Sequence, residues 1–464
     1  MAFLIGGANS LVDETIDVSN SLKFRSANSA QMSQGNGTQT NAKKWSVSFW
    51  IKLVAFADAS RCVYSATGSS STGSSITFVN NTLVVGCQGV SETDWVGTLG
   101  SSSILFRDPS AWYNFCIGFD STQGTAANRL RGYVNGVEHT FNTLTSPTQD
   151  EDSNFNNGSD SKIGGNITNN SHNLDAYITQ FYFIDGTQKA ASDFGLTNSN
   201  GVWVPKKYTG AFGNNGTFVE GDSTTADASG NGNNYGQSNV VITTDTPSNN
   251  FCTLNPIDKG SEVNTVTEGN LAATWNGANG DTIRSTMAVA NGKWYWETVN
   301  ADNLSCGIVD TEERIIPVSG NRFPGGSGYG SNDSFGYILS SGTTRTNNSN
   351  TSYGEVVDNG EILMCALDLD NGKIFWGVDG TWQNSGDPAN GTNPAYTGIT
   401  TGSVFFSPGW GYQTGGSSTV SVNFGNPPFA ISSTQADDNG YGSFEYDVPT
   451  GYYALCTKNL AEFG

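Results

Sequence analysis

The sequence is short of charge, histidine and organised cysteine. Charged residues fill only 14% of the 464 positions. Only two residues are histidine, His139 and His172, so imidazole-based triads and zinc centres have almost no parts to draw on. Twenty-one basic residues face 42 acidic ones for a net charge of −21. The tight basic clusters are mere pairs, Lys43-Lys44 and Lys206-Lys207. That excludes the dense cationic face a phosphate backbone requires, and with it nucleic acid as a partner. The seven cysteines, Cys62, Cys87, Cys116, Cys252, Cys306, Cys365 and Cys456, are scattered, odd in number and never spaced CxxC. They read as buried free thiols, not as a disulfide framework or metal site. No run approaches the ~20 apolar residues of a spanning helix, so membrane insertion is not expected. The opening MAFLIGG lacks a basic head and its apolar run stops at Ile5, so no secretory signal is expected. GxSxG, HExxH, P-loop and dinucleotide fingerprints are also missing.

What is present is glycine, at 58 positions, with a hydrophobic fraction of 36%. That is lean for helices and suits short strands joined by polar turns. WSVSFWIKL (45–53) alternates Val47, Phe49 and Ile51 against Ser46, Ser48, Trp50 and Lys52, the period-2 pattern of a sandwich strand. Hairpins are expected at Asn80-Asn81, at Asn135-Gly136 and around Asn371-Gly372, where residues tolerant of positive φ fit the tight turn. One short helix is a candidate, QKAASDF (188–194). Trp45, Trp50, Trp112, Trp294, Trp296 and Trp376 lie in strand patterns and read as core. The fold class expected is all-β, with two antiparallel, jelly-roll-like β-sandwiches joined by an irregular Asn/Gly-rich connector. The expected boundaries are 1–205 and 269–430 for the sandwiches, 206–268 for the connector and 431–464 for a carboxy-terminal tail.

The order WSVSFW, AWYNFCIGFD (111–120), GYVNGVEH (132–139), SKIGG and LDAYITQFYFIDG (174–186) resembles laminin G-like domains of the concanavalin A type. This resemblance covers about residues 20–186. It implies two curved antiparallel sheets, carbohydrate binding in many members and calcium in some. Calcium at Asp94, Asp120 or Asp185 is the one cofactor expectation, set against the reading that loop aspartates cap turns. The glucanase members use an E-x-D-x-E strand, whose alternate carboxylates point into one cleft. Here the nearest sets, Glu14/Asp17 and Glu355/Asp358/Glu361, have i, i+3 spacing that puts partners on opposite strand faces.

The segments KWYWET (293–298), FGYIL (335–339), NGEILMCALDLDNGKIFWGVDGTW (359–382) and VSVNFGNPPF (420–429) resemble a SPRY domain. That likeness implies a bent β-sandwich that binds partners through loops at one end and carries no catalytic set. The polar stretch 377–396 reads either as an excursion typical of that family or as a long recognition loop. An aromatic face covers the C–H side of a sugar ring. Trp95, Trp382, Tyr396, Trp410 and Tyr412, read as loop aromatics, are therefore the candidate glycan- or partner-binding residues.

Both modules, with the connector text PKKYTGAFGNNG, DASGNGNN and TPSNNFCTLNP and the tail GYGSFEYDVPTGYYALCT, resemble modular structural proteins of tailed bacteriophages. The implication is a non-enzymatic virion protein, a tail fibre, head fibre or capsid decoration. It would be made in the host cytoplasm and then displayed on the particle. The partners implied are other virion proteins and host-surface glycan, in a homo-oligomer with a trimer as one option. A purely architectural cement protein and a virion-associated glycan hydrolase are the alternatives. Residues 1–20, with Phe3, Leu4, Ile5, Leu11 and Val12, are either an anchor to a neighbouring subunit or the first sandwich strand.

Overall fold

The computed structural model describes residues 15–54, 60–67, 73–88, 94–99, 105–142, 145–156, 160–167, 171–277, 281–301, 304–315, 322–329, 333–412 and 416–464. The anchor candidates Phe3 to Val12 lie outside them. The chain is nearly all β, with 44% strand and 6% helix. It divides into two units, Met1–Ser248 and Asn249–Gly464. Among the described residues no helix is long and apolar enough to cross a membrane.

The amino-terminal unit is a sandwich of an eight-stranded and a seven-stranded sheet, paired antiparallel throughout. Lys44–Leu53 lies at the centre of the larger sheet, between Trp112–Asp120 and Ala176–Asp185. Val47, Phe49 and Ile51 point into the core with Tyr64, Phe115, Phe155 and Phe181, as the alternation predicts. The opposite face is buried as well, which the alternation does not predict. On the outer side of the sheet, Cys116, Tyr182 and Phe218 form a second apolar cluster with Phe194 and Tyr208, which pack over them. The polar positions serve as attachment points for that cover. Ser46 Oγ donates to the Thr187 carbonyl and accepts from Lys189 N–H, and Trp203 Nε1 donates to Asn114 Oδ1 at 3.0 Å. The helix candidate at 188–194 contains only a 3₁₀ turn, Ala191–Asp193, whose Asp193 carboxylate accepts from Ala190 N–H.

The carboxy-terminal unit pairs two further sheets around Trp275, Trp294, Trp296, Trp376 and Trp410. Its strand Lys293–Ala301 is flanked by Ile362–Asp368 on one side. On the other side the partner changes: Gly416–Asn423 pairs with Glu297–Ala301, and Tyr453–Ala454 pairs in parallel with Trp294 and Tyr295. The segment 431–464 is thus built into the sheet. It ends in the helix Thr457–Phe463.

The expected connector, 206–268, is shared between the units. Thr217–Val219 and Val241–Thr243 complete the larger sheet of the first, while Leu254–Lys259 and Val263–Thr267 are edge strands of the second. Two hairpins have the expected turns, with φ of +47° and +63° at Asn80-Asn81 and of +45° and +81° at Asn135-Gly136. At 371–372 the last pair is Asp368 with Lys373, so the loop has four residues. Asp368 Oδ1 caps it by accepting from Asn371 N–H at 3.0 Å.

Candidate functional site

The rim of the carboxy-terminal unit is a rigid excursion and not a free loop. Asp379-Gly380 makes a hairpin turn with φ of +44° and +81°, so Trp382 belongs to a short strand, Thr381–Trp382. Placing it in a loop needs correction, because the Asp-Gly pair satisfies the left-handed turn and lets pairing resume at once. Gly380 is required for a second reason: a Cβ there would lie 3.0 Å from the Tyr446 ring. Beyond Trp382, Gln383 Nε2 donates to Glu355 Oε1 at 3.0 Å, and its Oε1 accepts from Glu355 N–H. Asp387 and Thr392 exchange backbone hydrogen bonds, and Asp387 accepts two more from Asn390. Lys373 Nζ holds the Gly391 carbonyl at 2.8 Å. The excursion closes where Tyr396 bridges Ile374.

The five candidate aromatics therefore separate. Trp382 is half-buried against Tyr295, with ring centroids 6.4 Å apart. Tyr396 is half-buried between Phe335 and Trp376. Trp410 and Tyr412 are not loop residues: both lie in the strand Phe406–Tyr412, 0% and 3% exposed, and Trp410 Nε1 donates to Thr298 Oγ1. Their loop assignment is corrected by pattern, since Pro408, Gly409 and Gly411 look like turn residues but sit in a central strand, where Phe323 leaves no room for a Cβ at Gly411. Trp95 lies opposite Cys87 in the strand Asp94–Leu99, and its side chain is outside the described residues. Replacing Trp382 by Ala should lower the melting free energy by about 1–2 kcal/mol, the share of a half-buried ring, and leave the unit folded in chemical denaturation.

Of the candidate calcium ligands, the Asp94 side chain lies outside the described residues. Asp120 and Asp185 each accept a set of local hydrogen bonds. Asp120 Oδ1 accepts from Thr122 N–H and Oγ–H, Oδ2 accepts from Gln123 Nε2 at 2.9 Å, and Lys44 Nζ lies 3.2 Å away. Burial pushes this carboxyl up, but the hydrogen bonds from Thr122, Gln123 and Lys44 outweigh it and hold the group below its ordinary value. Asp185 accepts from Thr40, Asn41 and Asn215 N–H and from Asn156 Nδ2. Those donors engage both oxygens of each carboxylate, the arrangement of a turn cap. Among the described residues no three His, Cys, Asp or Glu side chains form a group that could hold a metal ion. Asp120→Asn should reduce stability by about 1 kcal/mol at neutral pH. Because the folded-state carboxyl is depressed, that contribution exists above the unfolded value of 3.8 and disappears as the pH falls through the folded one. Denaturant curves of wild type and variant should therefore converge in acid.

One concave feature of the amino-terminal unit has no counterpart in any sequence pattern. The strand Ala176–Asp185 passes its edge from Ser21–Phe24 to Thr217–Val219, and its pairing with Lys44–Leu53 shifts register between Thr179 and Tyr182. Gln180 occupies the bulge with φ +49°. It is buried, donates to the Glu220 carbonyl and accepts from Tyr182 Oη–H. Beside it lies a cavity of about 320 Å³, lined by the strap 16–20, Gln180, Lys207, Glu220 and Asp222. Lys207 Nζ stands 3.9 Å from Glu220. The lining offers hydrogen-bonding and charged groups, among them Gln180, Lys207, Glu220 and Asp222. A bulge in a strand, set by packing from three directions, has no local signature that would have marked it.

No protein-family model matches the chain, and no curated protein matches it. Solved structures similar to part of it include the SPRY domain of human HERC1, at 15% identity and a TM-score of 0.28 over 36% of this chain and 96% of that one. The TRIM65 PSpry domain matches at 13% identity and a TM-score of 0.29, over 37% of this chain and 88% of that one. Stonustoxin matches at 17% identity and a TM-score of 0.28, over 37% of this chain and 27% of its own length.

Proposed function

We propose that this is a non-enzymatic display protein of a bacteriophage particle, a fibre or decoration component whose sandwiches bind host-surface glycan or other virion proteins. The observation that carries the binding role is the sealing of sheet faces by the chain itself. Residues 190–212 pack over the outer face of the eight-stranded sheet of the amino-terminal unit, and residues 441–456 over that of the sheet holding Lys293–Ala301 in the carboxy-terminal one. With those faces closed, rim loops on a rigid scaffold are the favoured place for recognition. The excursion 379–396 would be the protein-facing rim of a SPRY-like unit. The cavity beside Gln180 would take a single sugar residue of the glycan, its volume standing at the low end for small-ligand sites. The virion assignment rests on the modular sequence resemblance.

A glycan array with the purified protein tests adhesion. Binding that falls when Asp222, which is exposed, is changed to Ala supports the cavity, and no binding to any glycan leaves an architectural cement. Immunogold labelling of particles tests the virion role, and unlabelled particles would overturn it.

A further inference from the structure

One ion pair of the amino-terminal unit stands apart. Lys52 Nζ and Asp245 Oδ2 are 2.8 Å apart, and both side chains are 0% exposed. In pairs such as Lys44–Asp120, Arg284–Asp258 and Lys293–Asp368 at least one partner reaches solvent. Lys52 sits on the covered outer face of Lys44–Leu53, with its Nζ 5.7 Å from the centre of the Tyr177 ring. Asp245 follows Val241–Thr243, the last strand of the unit, and Ser21 Oγ donates to its carbonyl at 2.5 Å. Its second carboxyl oxygen, Oδ1, accepts from Trp112 Nε1 at 3.1 Å. An amine and a carboxyl are thus held in contact away from water, with a neutral N–H donor on the oxygen that is not facing the amine.

That arrangement puts the two partners of amide formation in contact, with a donor for the developing oxyanion. We propose that Lys52 and Asp245 join in an intramolecular isopeptide bond. A proton passes from Nζ to Oδ2 along their hydrogen bond, and the freed Nζ lone pair attacks Asp245 Cγ. Negative charge then gathers on Oδ1, where the Trp112 N–H stabilises it as an oxyanion donor. A second proton moves from Nζ to Oδ2, the Cγ–Oδ2 bond breaks and water leaves. The product is one Nζ–Cγ amide with Oδ1 as its carbonyl, and the third Nζ hydrogen stays on the nitrogen. No oxidant, metal or outside reactant enters the balance. Two features favour the step. Fixed contact replaces a bimolecular encounter, and a neutral amide removes the cost of keeping two charges in a dry interior.

The bond would fasten residues 193 positions apart, tying the central strand to the end of the unit in a chain whose described cysteines are all free. Mass spectrometry of the full-length protein after denaturation tests it. The wild-type chain should be lighter than its sequence by one water, and proteolysis should yield a branched peptide carrying both Lys52 and Asp245. Lys52→Met should restore the full sequence mass, a reading that does not depend on whether the variant folds. A wild-type chain at full sequence mass would overturn the proposal. So would a water loss that persists in Lys52→Met, which would place the dehydration elsewhere.

Discussion

A chain ending at Ala430 should fail to form its carboxy-terminal unit, with tryptophan emission shifted to the red and strong binding of a hydrophobic dye. Phe444, Tyr452, Ala454, Leu455 and Cys456 are all fully buried. Four of them pack on Tyr295, Met364, Ala366 and Phe375, the outward-facing residues of the central strands. Burying each large apolar side chain contributes about 1.5–3 kcal/mol. Removing three from the tail side and uncovering three on the sheet is a loss on the order of 10 kcal/mol, comparable with the whole stability of a domain, about 5–15 kcal/mol. Backbone pairing goes too, since Tyr453–Ala454 leaves the edge of Trp294 and Tyr295 and Cys252 N–H loses the Leu455 carbonyl. The five fully buried tryptophans Trp275, Trp294, Trp296, Trp376 and Trp410 make fluorescence a direct reporter. A truncated chain with native emission and no dye binding would mean that the tail is an appendage.

The same dependence explains what could and could not be read from the sequence. Strands and tight hairpins were legible because both are local. Period-2 alternation marks Lys44–Leu53, and Asn-Asn or Asn-Gly at the tip supplies the positive φ its turn needs. The covered outer faces were not legible, because Ser46 and Lys52 look solvent-facing until residues far along the chain arrive to bond them. The supposed connector and tail have irregular composition for that reason: they are shaped by the faces they seal and not by a repeat of their own. Of the candidate site, the aromatic types were legible but their depth was not. Glycine marks a turn at Gly380, yet marks tight strand packing at Gly411, where a Cβ would stand 2.4 Å from Phe323 Cβ. The cavity beside Gln180 and the buried Lys52–Asp245 contact depend on side chains that only tertiary structure brings together.

Glu297→Ala should be the most damaging single substitution in the carboxy-terminal unit. The carboxylate is 0% exposed and lies where the neighbour of its strand changes from Gly416–Asn423 to Tyr453–Ala454. Oε2 accepts from Asn423 Nδ2 at 3.0 Å and Glu445 N–H at 3.1 Å, and Oε1 accepts from Tyr446 N–H at 2.9 Å and Tyr295 Oη–H at 3.1 Å. Two successive amides of the tail are thereby fastened to the central sheet through one side chain. Alanine strands four donors, each costing ~1–3 kcal/mol if it stays buried, so a loss of about 3–5 kcal/mol is expected once the tail relaxes toward water. Burial raises the carboxyl above its ordinary 4.5, against the opposing hydrogen bonds from Tyr446, Glu445, Asn423 and Tyr295. The sign then follows from proton linkage. The folded state holds this proton more tightly than the unfolded one, so the group's contribution is fully present below pH 4.5 and is lost as the pH rises through the folded value. Glu297→Gln has no titrating proton and keeps one acceptor oxygen. It should therefore cost less than the alanine variant, and its stability gap to wild type should shrink as the pH is raised from acid to neutral. Urea denaturation of the three proteins across that range measures both effects, and a gap independent of pH would show that Glu297 keeps the same protonation state folded and unfolded.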